Sequence, residues 1–448
     1  MVLIARKRYH IWLLKAYFKK LKKTILTSLI LGVFAFFAGY LLLQFYLSPL
    51  LERKVEKIGY AGVYDLKNLP EEKVYDLSEG LTKIDQTGEI KPSLAYKWEI
   101  KDQGKKYIFY LKKNINFHNG KEFTAETLNL NFKDVQKKVL DKYKVEYDLK
   151  NPYSPFLSQV SKPIFIDNLS GVGAYKLNKI DFNAGFVKSL TIQNTKDKSS
   201  KKIINFYSTQ ESLKLAFLLG EVDKITGVKN LSIKDKSFKE WKNVKIEKYI
   251  NYNQLITIFY NNNDQHLQDK KLRQALNYAL PEEFNQGERA YSPIPPNSIY
   301  YSQTPNYQIS DISIAKTLLE NNEVDKELEL TTTEEYKDVA KIIQQRWKSL
   351  GVKTKIKVVN EIPSSFQILL YSFKVRKDPD QYTIWHSNQV NNITHYRNLR
   401  IDKLLEDGRS ISDINKRVDI YADFQKYLID DVPASFLYFP YEYNIYKK

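Results

Sequence analysis

Apolar residues recur at every second position in some stretches of this chain and at every third or fourth in others, and the two periods alternate along its length. Runs rich in β-branched and aromatic residues at 106–111, 173–177, 255–260, 352–359 and 435–446 predict strands. Helical spacing predicts helices over 124–139, 210–219, 270–280, 312–320, 334–350 and 411–429. Thr124 stands as an N-cap with Glu126 in the first turn, while Gly220 and Gly351 fall where a helix C-terminus needs a residue tolerant of positive φ. The charged stretches 195–202 and 321–326 read as solvated connections. No fixed repeat period links these elements, and the alternation predicts an α/β architecture.

The N-terminal end has a different pattern. From Thr24 to Leu47 runs a block of 24 residues without a charge. As a helix rising about 1.5 Å per residue it reaches roughly 36 Å, enough for a hydrocarbon layer of about 30 Å. A cleaved signal peptide is the alternative, but its apolar region is shorter, about 7 to 15 residues, and ends in a small-x-small site that this run lacks. Every charge before the run is positive: Arg6, Lys7, Arg8, Lys15, Lys19, Lys20, Lys22 and Lys23. The positive-inside rule then predicts a cytoplasmic segment at 1–23, a single transmembrane anchor at 24–47 and everything later on the outer face of the cytoplasmic membrane. Ile11, Leu14, Phe18 and Leu21 recur at helical spacing opposite lysines. The head is therefore read either as lying along the headgroups of the lipid bilayer or as a plain solvated basic arm.

Composition narrows the class. The 448 residues carry 43% hydrophobic and 14% aromatic side chains, which excludes a disordered chain and allows two or three domains. The net charge is +18, of which about +10 remains once the eight N-terminal cations are set aside. Cysteine is absent, which removes disulfides, thiolate metal sites, cysteine nucleophiles and a lipid-modified cysteine anchor. No GxSxG elbow, HExxH pair or Walker loop occurs, and Gly171-Val172-Gly173 is followed by a strand, so it fails as a dinucleotide fingerprint. His118 has no acidic or nucleophilic neighbour in sequence and reads as a turn residue. The scattered lysines argue against a nucleic-acid partner.

Between Tyr75 and Phe132 the order of residues resembles the family 5 solute-binding proteins of bacterial ABC importers, which bind oligopeptides, dipeptides or nickel. The matching positions are Glu79-Gly80-Leu81, Gly88, Ile90, Pro92, Leu94-Ala95, Trp98, Phe117-His118, Gly120 and Thr124-Ala125. Further matches follow in family order: Gly171 to Tyr175, with Ala174 where proline is usual; Gly220 to Asp223; Arg273, Ala275 and Ala279; Asp378-Pro379-Asp380; Asn398 to Leu404; and Arg417 to Pro433. The resemblance covers about 55–446. Trp98 is read as core, whereas Trp385, among polar residues, is read equally as a ligand-stacking or a packing residue.

The resemblance implies a two-lobed periplasmic-binding-protein-like fold (type II, cluster C) behind the N-terminal transmembrane helix. The first lobe with its inserted subdomain spans 55–250, the second lobe 251–431 and the return crossover strand 432–448. It implies capture of a peptide or related small organic solute by lobe closure, delivery to ABC permease transmembrane subunits, a monomer, and neither catalysis, cofactor nor metal. A sensor or signalling module with the same fold is the alternative. Tyr75, Glu79, Gly80, Leu81, Lys374, Val375, Arg376, Asp378 and Trp385 are the ligand-binding candidates. Peptide-binding members hold the ligand's amino group with an aspartate three residues before the acidic residue of an (Asp/Glu)-Pro step. Counting back from Asp378 lands on Val375, flanked by Lys374, Arg376 and Lys377. A valine cannot pair with an ammonium and the neighbours repel one, so the expectation is a neutral or acidic ligand, or a peptide held through its backbone and carboxylate. An offset in alignment, or three solvent-facing cations, is the competing reading. The family commonly adds elements to the first lobe after the return strand, so a trimmed first lobe is also expected.

Overall fold

The computed structural model describes residues 2–43, 55–167, 169–234, 236–303, 310–320 and 327–448. The N-terminal helix Val2–Leu42 takes in the basic head as well as the apolar run. It is bent: the pieces Lys15–Thr24 and Leu26–Leu42 meet at 55°. Among the described residues no single helix is long and apolar enough to cross a membrane, although this bent pair passes that test by length and composition. The transmembrane helix expected over 24–47 is therefore not shown as a single span, and its last residues lie outside those described.

The body of the chain is organised by a 12-stranded mixed sheet. In the first lobe, Val55–Ala61 runs parallel to Lys201–Tyr207 and to Lys224–Val228. In the second, Leu328–Thr333 runs parallel to Thr354–Val359 and Ile368–Lys374. The return strand Ala434–Lys447 joins the two. Its beginning pairs with Gln254–Tyr260, and its later half pairs with Val244–Ile250 and Lys224–Val228. Gln254–Tyr260 shows why such strands read as continuous apolar runs. Leu255 and Phe259 pack into one core, with Leu369 and Phe424, while Ile256, Ile258 and Tyr260 pack into another, with Leu370 and Trp347. Both faces are covered, so alternation is lost.

An inserted subdomain builds its own antiparallel sheet from Ala95–Lys101, Lys106–Leu111, Lys144–Leu149 and Val135–Asp141. Its core is aromatic: Phe109, Phe117, Phe123, Tyr147 and Phe156 are all buried, and Trp98 packs half-buried against them. The helix expected at 124–139 is not there. Thr124 and Thr127 close a single turn through each other's backbone and hydroxyl groups. Leu128, Leu130 and Phe132 then alternate inward with exposed Asn129 and Asn131, Asp134 takes a positive φ of 60°, and Val135 starts a strand. Asparagine is a poor helix former, and the period of two in 128–132 outweighed the helical spacing further on.

Other elements differ at their edges. Helix Gln210–Leu219 has the expected bounds, with Thr209 and Ser212 forming a capping box and Gly220 closing it at φ 82°. The expected helix at 411–429 begins instead at Ile414, because Asp413 caps Ile414–Asp431 by accepting from the Lys416 amide; Leu399–Ser410 is a separate helix before it. The run at 334–350 resolves into a 3₁₀ turn, Glu334–Tyr336, and the helix Lys337–Lys348. The strands expected at 173–177 and 352–359 begin at Tyr175 and Thr354, and Lys201 already belongs to a strand, which shortens the loop at 195–202. The connection at 321–326 lies outside the described residues.

Candidate functional site

Val55–Ala61, Lys201–Tyr207 and Lys224–Val228 run parallel, and open α/β sheets take ligands beyond the carboxyl ends of such strands. The two lobes are joined by bonds far apart in sequence. Lys229 pairs with Glu335, and Lys374 Nζ lies 3.0 Å from Glu71 Oε1. The latter pair is more than 70% exposed on both sides, so it contributes little, about 0–1 kcal/mol. A second seam joins the subdomain to the second lobe. Ser158 Oγ donates to Asp378 Oδ2 at 2.8 Å, Asn297 Nδ2 to the Gln86 carbonyl at 2.8 Å, the Ile299 amide to Thr87 at 2.9 Å and the Ser154 amide to Arg409 at 2.6 Å.

The residues singled out in sequence fall into three places. Tyr75 is exposed on helix Glu71–Leu77, its hydroxyl 3.4 Å from the Ser161 carbonyl. Glu79 is exposed and accepts from Ser93 Oγ at 2.5 Å. Gly80 and Leu81 fasten the subdomain: a Cβ on Gly80 would lie 2.3 Å from the Ser161 carbonyl oxygen, and buried Leu81 donates its amide to Val160 at 2.8 Å.

In the loop after Ile368–Lys374, Lys374 and Arg376 are exposed, whereas Val375 is 4% exposed and packs in the second-lobe core. Both carboxylates of this loop are occupied by arginines. Asp378 Oδ1 lies 3.1 Å from Arg417 Nη2, and Asp380 takes a bidentate pair from Arg409 at 2.9 Å for each bond. Burial pulls the Arg417 pKa down, but the charge of Asp378, the phenols Tyr300 and Tyr421 and the hydrogen bond to Asp378 together outweigh it, and the guanidinium is held above its ordinary range.

Trp385 lies in the interior of the second lobe. It is fully buried, its indole donates to Gln381 Oε1 at 2.7 Å, and it stacks on Phe259 with ring centroids 6.4 Å apart.

Sequence reading passed over the groups at the hinge. Glu442, in the return strand, is 8% exposed and accepts from Tyr249 Oη and Asn251 Nδ2, both at 2.7 Å. Burial, then Tyr60 and Glu442, push the pKa of Tyr64 up; burial, then Glu335, does the same for Tyr336, so both stay neutral phenols. The one signal in the sequence was a lone carboxylate inside the aromatic run Phe439-Pro440-Tyr441-Glu442-Tyr443. Among the described residues no cluster of three or more His, Cys, Asp or Glu side chains is arranged to hold a metal ion.

Two α/β lobes, a shared crossover and a cleft closed by side-chain bonds define a binding protein of the periplasmic type. The chain belongs to the bacterial extracellular solute-binding proteins, family 5, whose model matches residues 89–391. It is 26% identical over 439 residues to the oligopeptide-binding protein AppA of Bacillus subtilis, covering 80% of each chain, and 23% identical over 433 residues to the dipeptide-binding protein of Escherichia coli, covering 78% of this chain and 80% of that one.

Solved structures share the fold. The ABC transporter substrate-binding protein CtaP of Listeria monocytogenes superposes with a TM-score of 0.74 at 21% identity, covering 88% of this chain and 94% of that one. NikZ of Campylobacter jejuni, in complex with Ni(L-His), gives 0.70 at 22% identity, covering 89% and 94%. The protein is thus an extracytoplasmic solute-binding component of the ABC-importer class, not an enzyme.

Proposed function

We propose that this protein is held in the cytoplasmic membrane by its N-terminal helix, captures a peptide or a related small organic solute by closing its two lobes, and hands it to permease subunits as a monomer. In this reading 1–23 is cytoplasmic, 24–47 is the anchor, 55–250 and 251–431 are the lobes and 432–448 the return. The observation that supports the capture mechanism is the set of side-chain bonds joining the first lobe and its inserted subdomain to the second lobe, above all Ser158 to Asp378. Such bonds form only when the lobes are together. A ligand that binds the closed arrangement better than the open one therefore shifts the population toward it.

The buried Val375 and the exposed cations Lys374 and Arg376 support a ligand whose amino group is not held by this loop. Eight cations before the apolar run support an inside N-terminus.

Native mass spectrometry of the full chain, purified in detergent without denaturation, tests the ligand. A ladder of peptides makes it a peptide receptor. A single acidic or neutral species makes the Val375 loop the specificity determinant. A cleft that stays empty against peptide libraries sinks the reading. Carbonate-resistant membrane association, lost on deleting 1–47, tests the anchor.

A further inference from the structure

We propose that the end of the first-lobe sheet at which Val55–Ala61 begins is a lysine-rich face that rests on anionic phospholipid headgroups at the outer surface of the membrane. The inference rests on the anchored reading above and names the lipid that the body of the protein meets.

Strand register gathers the charges. Val55 pairs with Lys201, and Lys201 and Lys176 both pair with Gln193. Lys224 pairs with Tyr446, which pairs on its other side with Lys245. The Asp223 amide donates to the Lys57 carbonyl, the Lys447 amide to Asp223 and the Lys448 amide to Asn243. The segments joined in this way are 55–57, 175–176, 194–202, 220–224, 239–245 and 446–448. They carry twelve lysines against five acidic residues, Glu56, Asp197, Glu221, Asp223 and Glu240, a net +7. The whole chain after the basic head carries about +10, so most of the surplus lies at this one end. Lys245 is paired with Glu247, and Lys202 Nζ lies 3.9 Å from Asp76 Oδ2; counting those two carboxylates still leaves +5. Lys57, Lys196, Lys198, Lys242, Lys447 and Lys448 are exposed.

Trp241 stands at the same end. It is 38% exposed between Lys239 and Lys242, its ring 5.7 Å from that of buried Phe238. An indole flanked by lysines suits the headgroup layer, which is apolar on one side and wet on the other.

The chain also brings this end to the membrane. Leu47, the last residue of the apolar run, and Val55 are eight positions apart. A fully extended chain covers at most about 3.6 Å per residue, so the start of the sheet stays within roughly 29 Å of the anchor. Headgroup phosphates attract lysines only over about a Debye length, roughly 8 Å at physiological salt, and the tether holds the face close enough to find that range. With the lysines on the headgroups, the carboxyl ends of the parallel strands Val55–Ala61, Lys201–Tyr207 and Lys224–Val228 point away from the bilayer.

The chain has no cysteine, so a single introduced one carries a dye. The full chain is placed in nanodiscs of phosphatidylcholine alone, or of equal parts phosphatidylcholine and phosphatidylglycerol, with an energy acceptor on the headgroups. The dye is put at Asn243→Cys on the lysine face or at Val390→Cys, 94% exposed on the second lobe. We expect about threefold more energy transfer from 243 in the anionic discs than in phosphatidylcholine, and no gain from 390. High salt removes the gain, as does the combined variant Lys57→Gln, Lys198→Gln, Lys242→Gln and Lys447→Gln. Neutralising Lys341, Lys348, Lys353 and Lys355 of the second lobe leaves it. Equal transfer in both discs, an equal gain at 390, or a gain that survives the first-lobe variant overturns the proposal.

Failure of the anchor is seen separately, by an environment-sensitive dye at Gly32→Cys that reports water instead of lipid. In that case energy transfer from 243 to added phosphatidylglycerol vesicles decides. Transfer that the first-lobe variant abolishes retains the face. No transfer, or transfer unchanged in that variant, overturns it.

Discussion

Ser158 and Asp378, 220 positions apart in sequence, share a 2.8 Å hydrogen bond, and it links the inserted subdomain to the second lobe. The same carboxylate holds buried Arg417. The two substitutions at this bond therefore separate. Ser158→Ala removes one neutral donor and costs about 1 kcal/mol, all of it against the closed state. The expected result is a more open particle by small-angle scattering and a several-fold weaker ligand affinity, with unchanged thermal stability of the lobes. Asp378→Asn strands a buried guanidinium and costs about 3–5 kcal/mol of folding stability, read by urea denaturation.

Trp385→Ala removes a fully buried indole from the second-lobe core, where Phe259 and Phe436 contact it. A loss of about 3–5 kcal/mol is expected, with an early transition of the second lobe in calorimetry. Weakened ligand affinity at unchanged stability would instead return Trp385 to the ligand.

Gly80→Ala places a Cβ 2.3 Å from the Ser161 carbonyl oxygen. Backbone on both sides has to move, and overpacking of this kind costs about 1–3 kcal/mol. The disturbance belongs to the joint between the subdomain and the first lobe. Hydrogen exchange should therefore rise around 78–81 and 160–164 while the second lobe stays protected.

Alkaline pH acts through the tyrosines. Burial first, then the nearby carboxylates Glu221, Glu288 and Glu247, push Tyr207, Tyr252 and Tyr446 up to about 12. An unfolded tyrosine titrates near 10. Between those values the unfolded chain binds fewer protons than the folded one, so stability, whole below pH 10, falls as pH rises toward 12. Phenolate absorbance should fall short of that of a denatured sample between those values, and the shortfall should vanish when the chain unfolds. A titration that coincides with the denatured one would contradict this.

How much of this was legible in the sequence depended on how local each signal was. The Thr209 cap and Gly220 stop lie beside their helix and fixed its bounds. Gln254–Tyr260 was legible because burial on both faces leaves an unbroken apolar run. The stretch after Thr124 was not, because two periods compete there within a few residues. Site residues were hardest to read. Asp378 is matched to Ser158, and Glu442 to Tyr249 and Asn251, by folding across 220, 193 and 191 positions, and nothing near any of them in the chain names its partner. Trp385 has polar neighbours in sequence and apolar neighbours in space, which is why spacing alone left its role undecided.

The return strand Ala434–Lys447 completes the second-lobe half of the sheet with its first residues and the first-lobe half with its last. Until it emerges during synthesis, Gln254–Tyr260 and Lys224–Val228 each lack a hydrogen-bonded neighbour, so both lobes carry an open edge at the same time. Its partner strands lie in the middle of the chain, from Lys224–Val228 to Gly287–Arg289, and such non-local pairing makes its docking a slow, late step. A polypeptide built this way stays unfinished, and threadable, while most of its length is already made.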